Sequence, residues 1–364
     1  MVLSCARVLA IMKPRFYFAT GQVGAEKVIK TEVLLEFSQL KFAFSRPGFI
    51  TFKEDDDRKA PINRTHGIFT RLWGQTLGQA KDQASLMELL ETVPHGAILH
   101  TFERDQFLPG DEPKDFIFNA RVSDCEQILK NSFTSNGKPR FRLNAVPQVG
   151  QQVFDLIWID DQHLFLGTHT HGSHLDPSPG NQPKIVLPPT APARSYLKIV
   201  EAVHRYQPKL EKGMRVLEIG CSPGGATTAM IAMGLKVTGV DPKYMHSSVY
   251  SLPEFSFIQK PAKDLTDEEL DNTNPDWLVM DMNIAPLEAI DELGHVLGCL
   301  RRVWDSDIKL KYGFLTLKLN DWKFTASIPL YLRRIRELGF QNLVSTQLCS
   351  NRQEFFVMAS GFRS

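Results

Sequence analysis

Four ionisable side chains stand inside or against apolar runs, where an unpartnered charge is costly. They are Lys198 in Tyr196-Leu-Lys-Ile-Val, Asp281 closing Trp277-Leu-Val-Met-Asp, Lys318 in Leu315-Thr-Leu-Lys-Leu, and Glu354 ahead of Phe355-Phe-Val. A lysine can serve as a base when burial or a second nearby cation lowers its pKa, and a carboxylate can then hold the ammonium formed by proton transfer. Such a group suits a hydroxyl that is almost fully protonated at neutral pH. Singly, Lys318 reads as a strand-end surface residue and Asp281 as a turn acid. Together, in the order Lys, Asp, Lys, Glu, they read as a constellation for proton transfer.

A second run, Arg215-Val-Leu-Glu-Ile-Gly-Cys-Ser-Pro-Gly-Gly-Ala-Thr-Thr, has the pattern of a buried strand, a glycine loop and a helix. Loop glycines let the backbone approach a ligand closely. The spacing of Gly220, Gly224 and Gly225 is not that of a dinucleotide fold, and no Gly-Lys-Ser/Thr follows as a phosphate cradle requires. Glu218 at the strand end would repel a pyrophosphate but suits a cationic amino acid moiety, such as that of S-adenosylmethionine. Asp241, about 20 residues on, ends the next strand, where a carboxylate can accept hydrogen bonds from both hydroxyls of a ribose. The expected ligand-facing set is therefore Glu218, Gly220, Ser222, Pro223, Gly224, Gly225 and Asp241, with Asp281 shared between ligand and chemistry.

These residues need a frame. From 191 onward the pattern is regular: a helix over 195–206, then strands at 215–219, 236–240, 255–259, 277–281, 313–319 and 354–359, with helical segments between most of them. Alternating strands and helices predict a mostly parallel, doubly wound α/β sheet, with ligand sites at the carboxyl ends of its strands. Residues 13–175 mix strand-like runs (16–19, 49–52, 116–122, 153–159, 164–167) with helical stretches at 26–36 and 83–90, which predicts α+β. Six prolines between His174 and Ala193 oppose both helix and central strand, so 176–190 is expected to be a linker. A fragment beginning near Pro188 is then expected to fold and to bind the ligand of the glycine loop.

Composition narrows the class. With 43% hydrophobic residues the 364-residue chain can bury a substantial core. No apolar run approaches the roughly 20 residues of a membrane helix. Residues 1–12 lack the basic start and cleavage site of a secretion signal and read as a leader before a second possible start at Met12. Five scattered cysteines, Cys5, Cys125, Cys221, Cys299 and Cys349, fit neither a disulfide framework nor a zinc site, so a reducing, cytoplasmic setting is expected. His163, His169, His171 and His174 read as an exposed polar loop, and no metal is expected. The acidic run 54–57 reads as a solvated turn. A net charge of +1 does not mark a nucleic-acid binder, so any basic surface must be local. Its best candidate is Lys138, Arg140 and Arg142 around Phe141, where cations and a ring would meet phosphates and a base.

The glycine loop resembles that of the class I (Rossmann-like) methyltransferases, and its Ser222-Pro-Gly-Gly resembles the subgroup that modifies ribose in RNA. The Lys198, Asp281, Lys318, Glu354 order resembles the catalytic tetrad of the FtsJ-like ribose methyltransferases. That resemblance implies S-adenosyl-L-methionine as cofactor and Lys318 as general base. It also implies that Lys198 and Asp281 position the hydroxyl and methyl donor, and that Glu354 orients the lysines. Ala191-Pro-Ala-Arg-Ser-Tyr-Leu-Lys-Ile-Val-Glu-Ala resembles the lead-in to the catalytic domain of bacterial 23S rRNA cytidine 2'-O-ribose methyltransferases that carry a THUMP domain, which implies that Ser195 reaches the cofactor. Ala19-Thr-Gly-Gln-Val-Gly-Ala-Glu, Asp155-Leu-Ile-Trp-Ile and Leu164-Phe-Leu-Gly resemble the ferredoxin-like and THUMP regions of the same family. The acid that usually contacts adenine is replaced by Pro261 in Gln259-Lys-Pro-Ala-Lys-Asp, leaving Asp264 or backbone groups for that task. The implied partner is 23S rRNA, with no membrane partner, and the oligomeric state is left open. A 2'-O-methyltransferase of tRNA or of an mRNA cap, and a non-catalytic RNA-binding protein with this fold, stand as alternatives.

Overall fold

The computed structural model describes residues 14–55, 62, 64, 67–108, 126, 127, 129, 134, 135, 138–160 and 163–363. The expected leader, Met12, Cys5, Cys125 and the strand at 116–122 lie outside them. The first strands are β1 (Arg15–Thr20), β2 (Leu40–Arg46), β3 (Phe49–Glu54), β4 (Leu72–Ala80) and β5 (Ile98–Glu103). Next come the two-residue strands β6 (Thr134–Ser135), β7 (Lys138–Pro139) and β8 (Arg142–Leu143), and then β9 (Gln152–Asp160) and β10 (His163–Thr170). Eight of them form one sheet in the order β2-β3-β1-β4-β10-β9-β5-β8. Helix α1 (Glu26–Glu36) lays Val28, Ile29 and Val33 on the core. Helix α2 (Gln83–Glu91) begins with Asp82 and Ser85 capping each other's backbone, which supplies its first unpaired N–H groups with acceptors.

The second sheet positions the chemistry. Its strands are β11 (Arg215–Ile219), β12 (Lys236–Val240), β13 (Phe255–Ile258), β14 (Trp277–Asp281), β15 (Tyr312–Lys318), β16 (Phe340–Thr346) and β17 (Glu354–Phe362). They lie in the order β13-β12-β11-β14-β15-β17-β16. The first five are parallel, and β17 runs antiparallel between β15 and β16. This is the expected doubly wound sheet, with one strand, β16, that the sequence reading lacked. The helices are α3 (Ser195–Tyr206), α4 (Gly225–Ala232), α5 (Ser247–Tyr250), α6 (Asp267–Leu270), α7 (Pro286–Trp304) and α8 (Ile328–Glu337). No helix among the described residues is long and apolar enough to cross a membrane.

Several expectations are corrected. The proline-rich segment does run between the two sheets, but it is pinned to them. Asp176, Pro179, Gly180 and Asn181 are buried, and Asn181 donates to the Arg71 carbonyl at 2.5 Å and accepts from Asp176 N at 2.6 Å. The histidines are not an exposed loop: His163 and His169 belong to β10, and His169 and His171 are buried. His169 Nδ1 lies 2.6 Å from Asp155 on the neighbouring strand. No cluster able to hold a metal occurs among the described residues. Phe141 is buried and cannot stack on a base, while the Arg140 guanidinium donates to the carbonyls of Glu91 and Val93. The acidic run opens inside β3, where buried Glu54 accepts from the Tyr17 hydroxyl at 2.9 Å.

The halves share a core. One apolar cluster joins Tyr17, Ile29, Phe52 and Phe69 to Leu217, Leu317, Ile328 and Phe355, and Phe69 meets Trp322 edge-on with ring centroids 5.8 Å apart. Phe69→Ala is therefore expected to cost about 3–5 kcal/mol and to weaken hydrogen-exchange protection in both sheets. Loss of protection confined to residues 15–170 would show that the halves fold independently.

Candidate active site

The four expected tetrad residues meet at the carboxyl edge of the second sheet. Lys318 at the end of β15 faces Glu354 at the start of β17 in direct register, and Asp281 pairs with Thr316 one strand over, two residues before Lys318. A spacing of two keeps Thr316 and Lys318 on one face. Lys198 reaches that face from α3. Its Nζ lies 2.8 Å from Asp281 Oδ2 and 2.6 Å from Glu354 Oε1, while Lys318 Nζ lies 2.9 Å from Asp281 Oδ1 and bonds Glu354 Oε2. The result is a closed ring in which each ammonium bridges both carboxylates. The lysine side chains keep only 13% and 18% exposure.

Burial and attraction compete across the ring. For Asp281, burial raises the pKa, but the ammonium groups of Lys198 and Lys318 hold it well below the usual carboxylate range. For Lys318, burial pulls the pKa down, yet Asp281 and Glu354 more than offset this and hold it above the ordinary lysine value. A lysine with a lowered pKa was expected. In the free protein the two carboxylates reverse that shift, so Lys318 is an ammonium at neutral pH.

The glycine loop follows β11 and opens α4. Gly220 has φ +80°, and a Cβ there would come within 2.7 Å of the Asp281 carbonyl oxygen, so only glycine lets the loop lie against the end of β14. Gly224, at φ +112°, would drive a Cβ to 2.6 Å from Val249 Cγ2. Its lack of a side chain thus makes room for α5 against the loop. Gly225 packs against Ala193 and Ser195, whose hydroxyl accepts from Ala226 N at 3.1 Å. Ser195 therefore fastens α3 to the start of α4 beside the loop. Asp241 accepts from Ser222 N at 3.0 Å and from Lys243 N at 2.8 Å, with one bond on each carboxylate oxygen. Each oxygen keeps a further lone pair for a hydroxyl. Ser222 precedes a cis peptide to Pro223, and its hydroxyl donates to the Tyr244 carbonyl at 2.8 Å. Asp264 is exposed beside buried Ala262.

Glu218 is buried and bonded to the Thr227 hydroxyl at 2.6 Å. Burial pushes its carboxyl up to about 8, Thr227 opposes this, and Asp281 and Asp241 add to the rise. A cation bound beside Glu218 would favour its ionised form, whereas a phosphate would raise its pKa further and meet Asp241 and Asp281 as like charges. Sequence reasoning missed three supports. Asn351 donates from Nδ2 to Glu354 Oε1 at 2.7 Å, Thr227 holds Glu218, and Gln22 reaches in from the first sheet's side. Asn351 and Thr227 had local signals, lying three residues before Glu354 and nine after Glu218; Gln22 depends on packing between distant segments.

Residues 191–318 match the model of the FtsJ-like methyltransferase family, and this region has the class I methyltransferase fold. The chain is 27% identical over 214 residues to the "Ribosomal RNA large subunit methyltransferase M" of Xylella fastidiosa (strain 9a5c), covering 56% of each chain. It is 30% identical over 150 residues to the protein of that name from Aeromonas salmonicida (strain A449), covering 38% of each. It is 29% identical over 235 residues to that from Psychromonas ingrahamii (strain DSM 17664 / CCUG 51855 / 37), covering 62% of this chain and 60% of that one. The aligned stretches thus span about 38–60% of these relatives.

Glu218 gives the site a pH signature. Its folded pKa of about 8 exceeds the ordinary 4.5, so between these values the unfolded chain has released a proton that the folded chain retains. Stability contributed by this group is complete below the lower value and is lost as pH rises through the higher one. Glu218→Gln, which cannot ionise, should gain stability relative to wild type between pH 5 and pH 8, as read from thermal midpoints. A constant offset across that range would remove the buried neutral acid from the account.

Proposed function

We propose, on the premise that residues 191–318 form an FtsJ-like methyltransferase domain, that the chain methylates a ribose 2'-hydroxyl of RNA. S-adenosyl-L-methionine is the proposed methyl donor, and the substrate is a cytidine of 23S rRNA in the peptidyl-transferase region. The observation that carries this reading is the closed ring of Lys198, Asp281, Lys318 and Glu354 on the same sheet edge as the glycine loop. The relatives' names as ribosomal RNA methyltransferases support the RNA class. A cytoplasmic setting belongs to the same proposal, and the THUMP-like reading assigns 13–175 to RNA positioning, ahead of the linker at 176–190 and the catalytic unit at 191–364.

The residues present fit the cofactor. Glu218 would face its cationic amino acid end, Asp241 its ribose hydroxyls, and Gly220, Ser222, Pro223, Gly224, Gly225 and Ser195 form the wall between them. S-adenosyl-L-methionine supplies an electrophilic methyl group on a cationic sulfur. The protein must place the 2'-hydroxyl in line with that methyl and remove a proton. Lys318 Nζ accepts it, Lys198 and Asp281 hold the hydroxyl's approach, and Glu354 orients both lysines. With both lysines protonated the ring is formally neutral; with one proton gone it carries a single negative charge. A neighbouring cation stabilises that second form and so draws down the pKa of Lys318.

Lys318→Ala should not weaken cofactor binding in calorimetry, since it removes a cation from beside the site, while lowering methyl transfer roughly 10²- to 10⁴-fold, the loss typical of a missing general base. Lys318→Arg should fail as well, since a guanidinium stays protonated. Near-wild-type transfer by either variant would sink the assignment. Mapping ribose methylation in cells with and without the gene separates 23S rRNA from tRNA and cap substrates.

A further inference from the structure

Glu354 is delivered by the turn at 347–353, which joins β16 to β17 and has no regular ladder of its own. Buried polar groups need partners, and most of those found here come from distant segments. Glu201 of α3 accepts from Cys349 N at 2.8 Å and Ser350 N at 3.2 Å. The rest come from the first sheet's side: the Ile68 carbonyl accepts from Gln347 N at 2.7 Å, and Asp105 accepts from Arg352 Nη1 at 2.8 Å. Gln22 Oε1 accepts twice, from Gln347 Nε2 at 2.7 Å and from Gln353 N at 3.0 Å. One oxygen atom thereby ties the residue that enters the turn to the residue that leaves it.

Gln353 is the hinge of this arrangement. It holds the left-handed conformation at φ +53°, which a residue with a side chain adopts only when its surroundings impose it. Its N–H goes to Gln22, and its carbonyl accepts from Leu319 N at 2.9 Å, the amide directly after Lys318. Gln347 Nε2 also donates to the Glu354 carbonyl at 3.1 Å. Two short paths therefore run from Gln22 to the backbone on both sides of the Lys318 to Glu354 pair.

The choice of side chain adds to the case. Gln22 is 0% exposed, and its Nε2 meets no partner among the described residues. A buried donor without a partner is destabilising, so methionine or leucine would fill the same space at lower cost. The accepting oxygen is what the site retains.

We infer that Gln22 is a positioning residue for the tetrad, so that the N-terminal half completes the catalytic site in addition to meeting RNA. The inference rests on the methyltransferase reading above. Gln22→Met keeps the length and removes the acceptor; Gln22→Glu keeps an accepting carbonyl or carboxylate oxygen. With full-length protein and 23S rRNA, Gln22→Met should bind S-adenosyl-L-methionine as wild type does in calorimetry and retain KM for RNA. Its kcat should fall about 10- to 100-fold, the scale of loss that follows a small misplacement of reacting groups. The acid limb of its kcat profile should move to lower pH, because a displaced Glu354 supports the Lys318 ammonium less. Gln22→Glu should recover most of the lost rate. A lower melting temperature with unchanged kcat and an unmoved limb would reduce Gln22 to interface packing and overturn the inference. If wild-type protein transfers no methyl group to RNA, the functional reading falls separately. The clamp is then read from the Lys318 ammonium by NMR of labelled lysine: Gln22→Met should move its titration to lower pH, and an unmoved titration overturns the proposal.

Discussion

The structure depends on four charges that must be buried together or not at all. Taking an ammonium or carboxylate out of water costs several kcal/mol, and removing one member of a buried pair leaves its partner uncompensated at a further cost of about 3–5 kcal/mol. In the ring each ammonium meets two carboxylates and each carboxylate two ammonium groups. That arrangement fixes what surrounds it. Two adjacent strand ends must present Asp281 and Lys318 on one face, an antiparallel strand must bring Glu354 into register with Lys318, and a helix must cross the same edge to deliver Lys198. The reversal of β17 within a parallel sheet has a local consequence here: it starts a strand where its neighbours end.

The ring also shows why the two halves are packed and not merely tethered. The turn ahead of Glu354 satisfies only part of its own backbone, at Leu348 and Asn351, and others of its amides donate to groups from α3 and from the first sheet's side. The same logic explains the pinned proline-rich segment. Proline removes donors, so polar side chains there form the segment's own bonds: the Asp176 carboxylate accepts from Ser178 N, and the Asn181 amide accepts from Asp176 N and donates to the Arg71 carbonyl. A stretch that composition marks as a linker is thus part of the interface.

Much of the C-terminal half was legible because its signals are local. A charge inside an apolar run is visible in the string itself, as is a glycine loop at the end of a hydrophobic strand, and all four tetrad residues were found that way. Strands β2, β4, β5 and β16 were not. β2 exposes Lys41, Phe42 and Ala43 at a sheet edge, β4 is interrupted by Gly74 and Gly78, β5 is buried almost throughout, and β16 alternates poorly. None presents the period-two pattern that identifies a half-buried strand. Pairing across strands was equally hidden: His169 lies 14 residues from Asp155 in sequence but 2.6 Å from it in space, which turned an apparent polar loop into a buried pair. Phe141 failed as an RNA platform for a related reason, since alternation does not say which face is buried.

Charge balance decides the resting protonation of Lys318, the proposed base. Burial alone would ready it to accept a proton, but the two carboxylates outweigh burial and keep it protonated in the free protein. The carboxyl edge adds Glu218 and Asp241 to Asp281, and burial, with a smaller contribution from the two aspartates, keeps Glu218 neutral near pH 7. Since the ring is formally neutral and Glu218 uncharged near pH 7, Asp241 is the acid of this edge with no ammonium beside it. In the proposed reaction a cationic methyl donor beside Asp281 would take a share of that carboxylate, weaken the hold on Lys318 and let its proton leave while Lys198 retains both carboxylates. On that proposal the proton acceptor forms where the donor is already bound, and the raised lysine pKa of the free protein is its resting half.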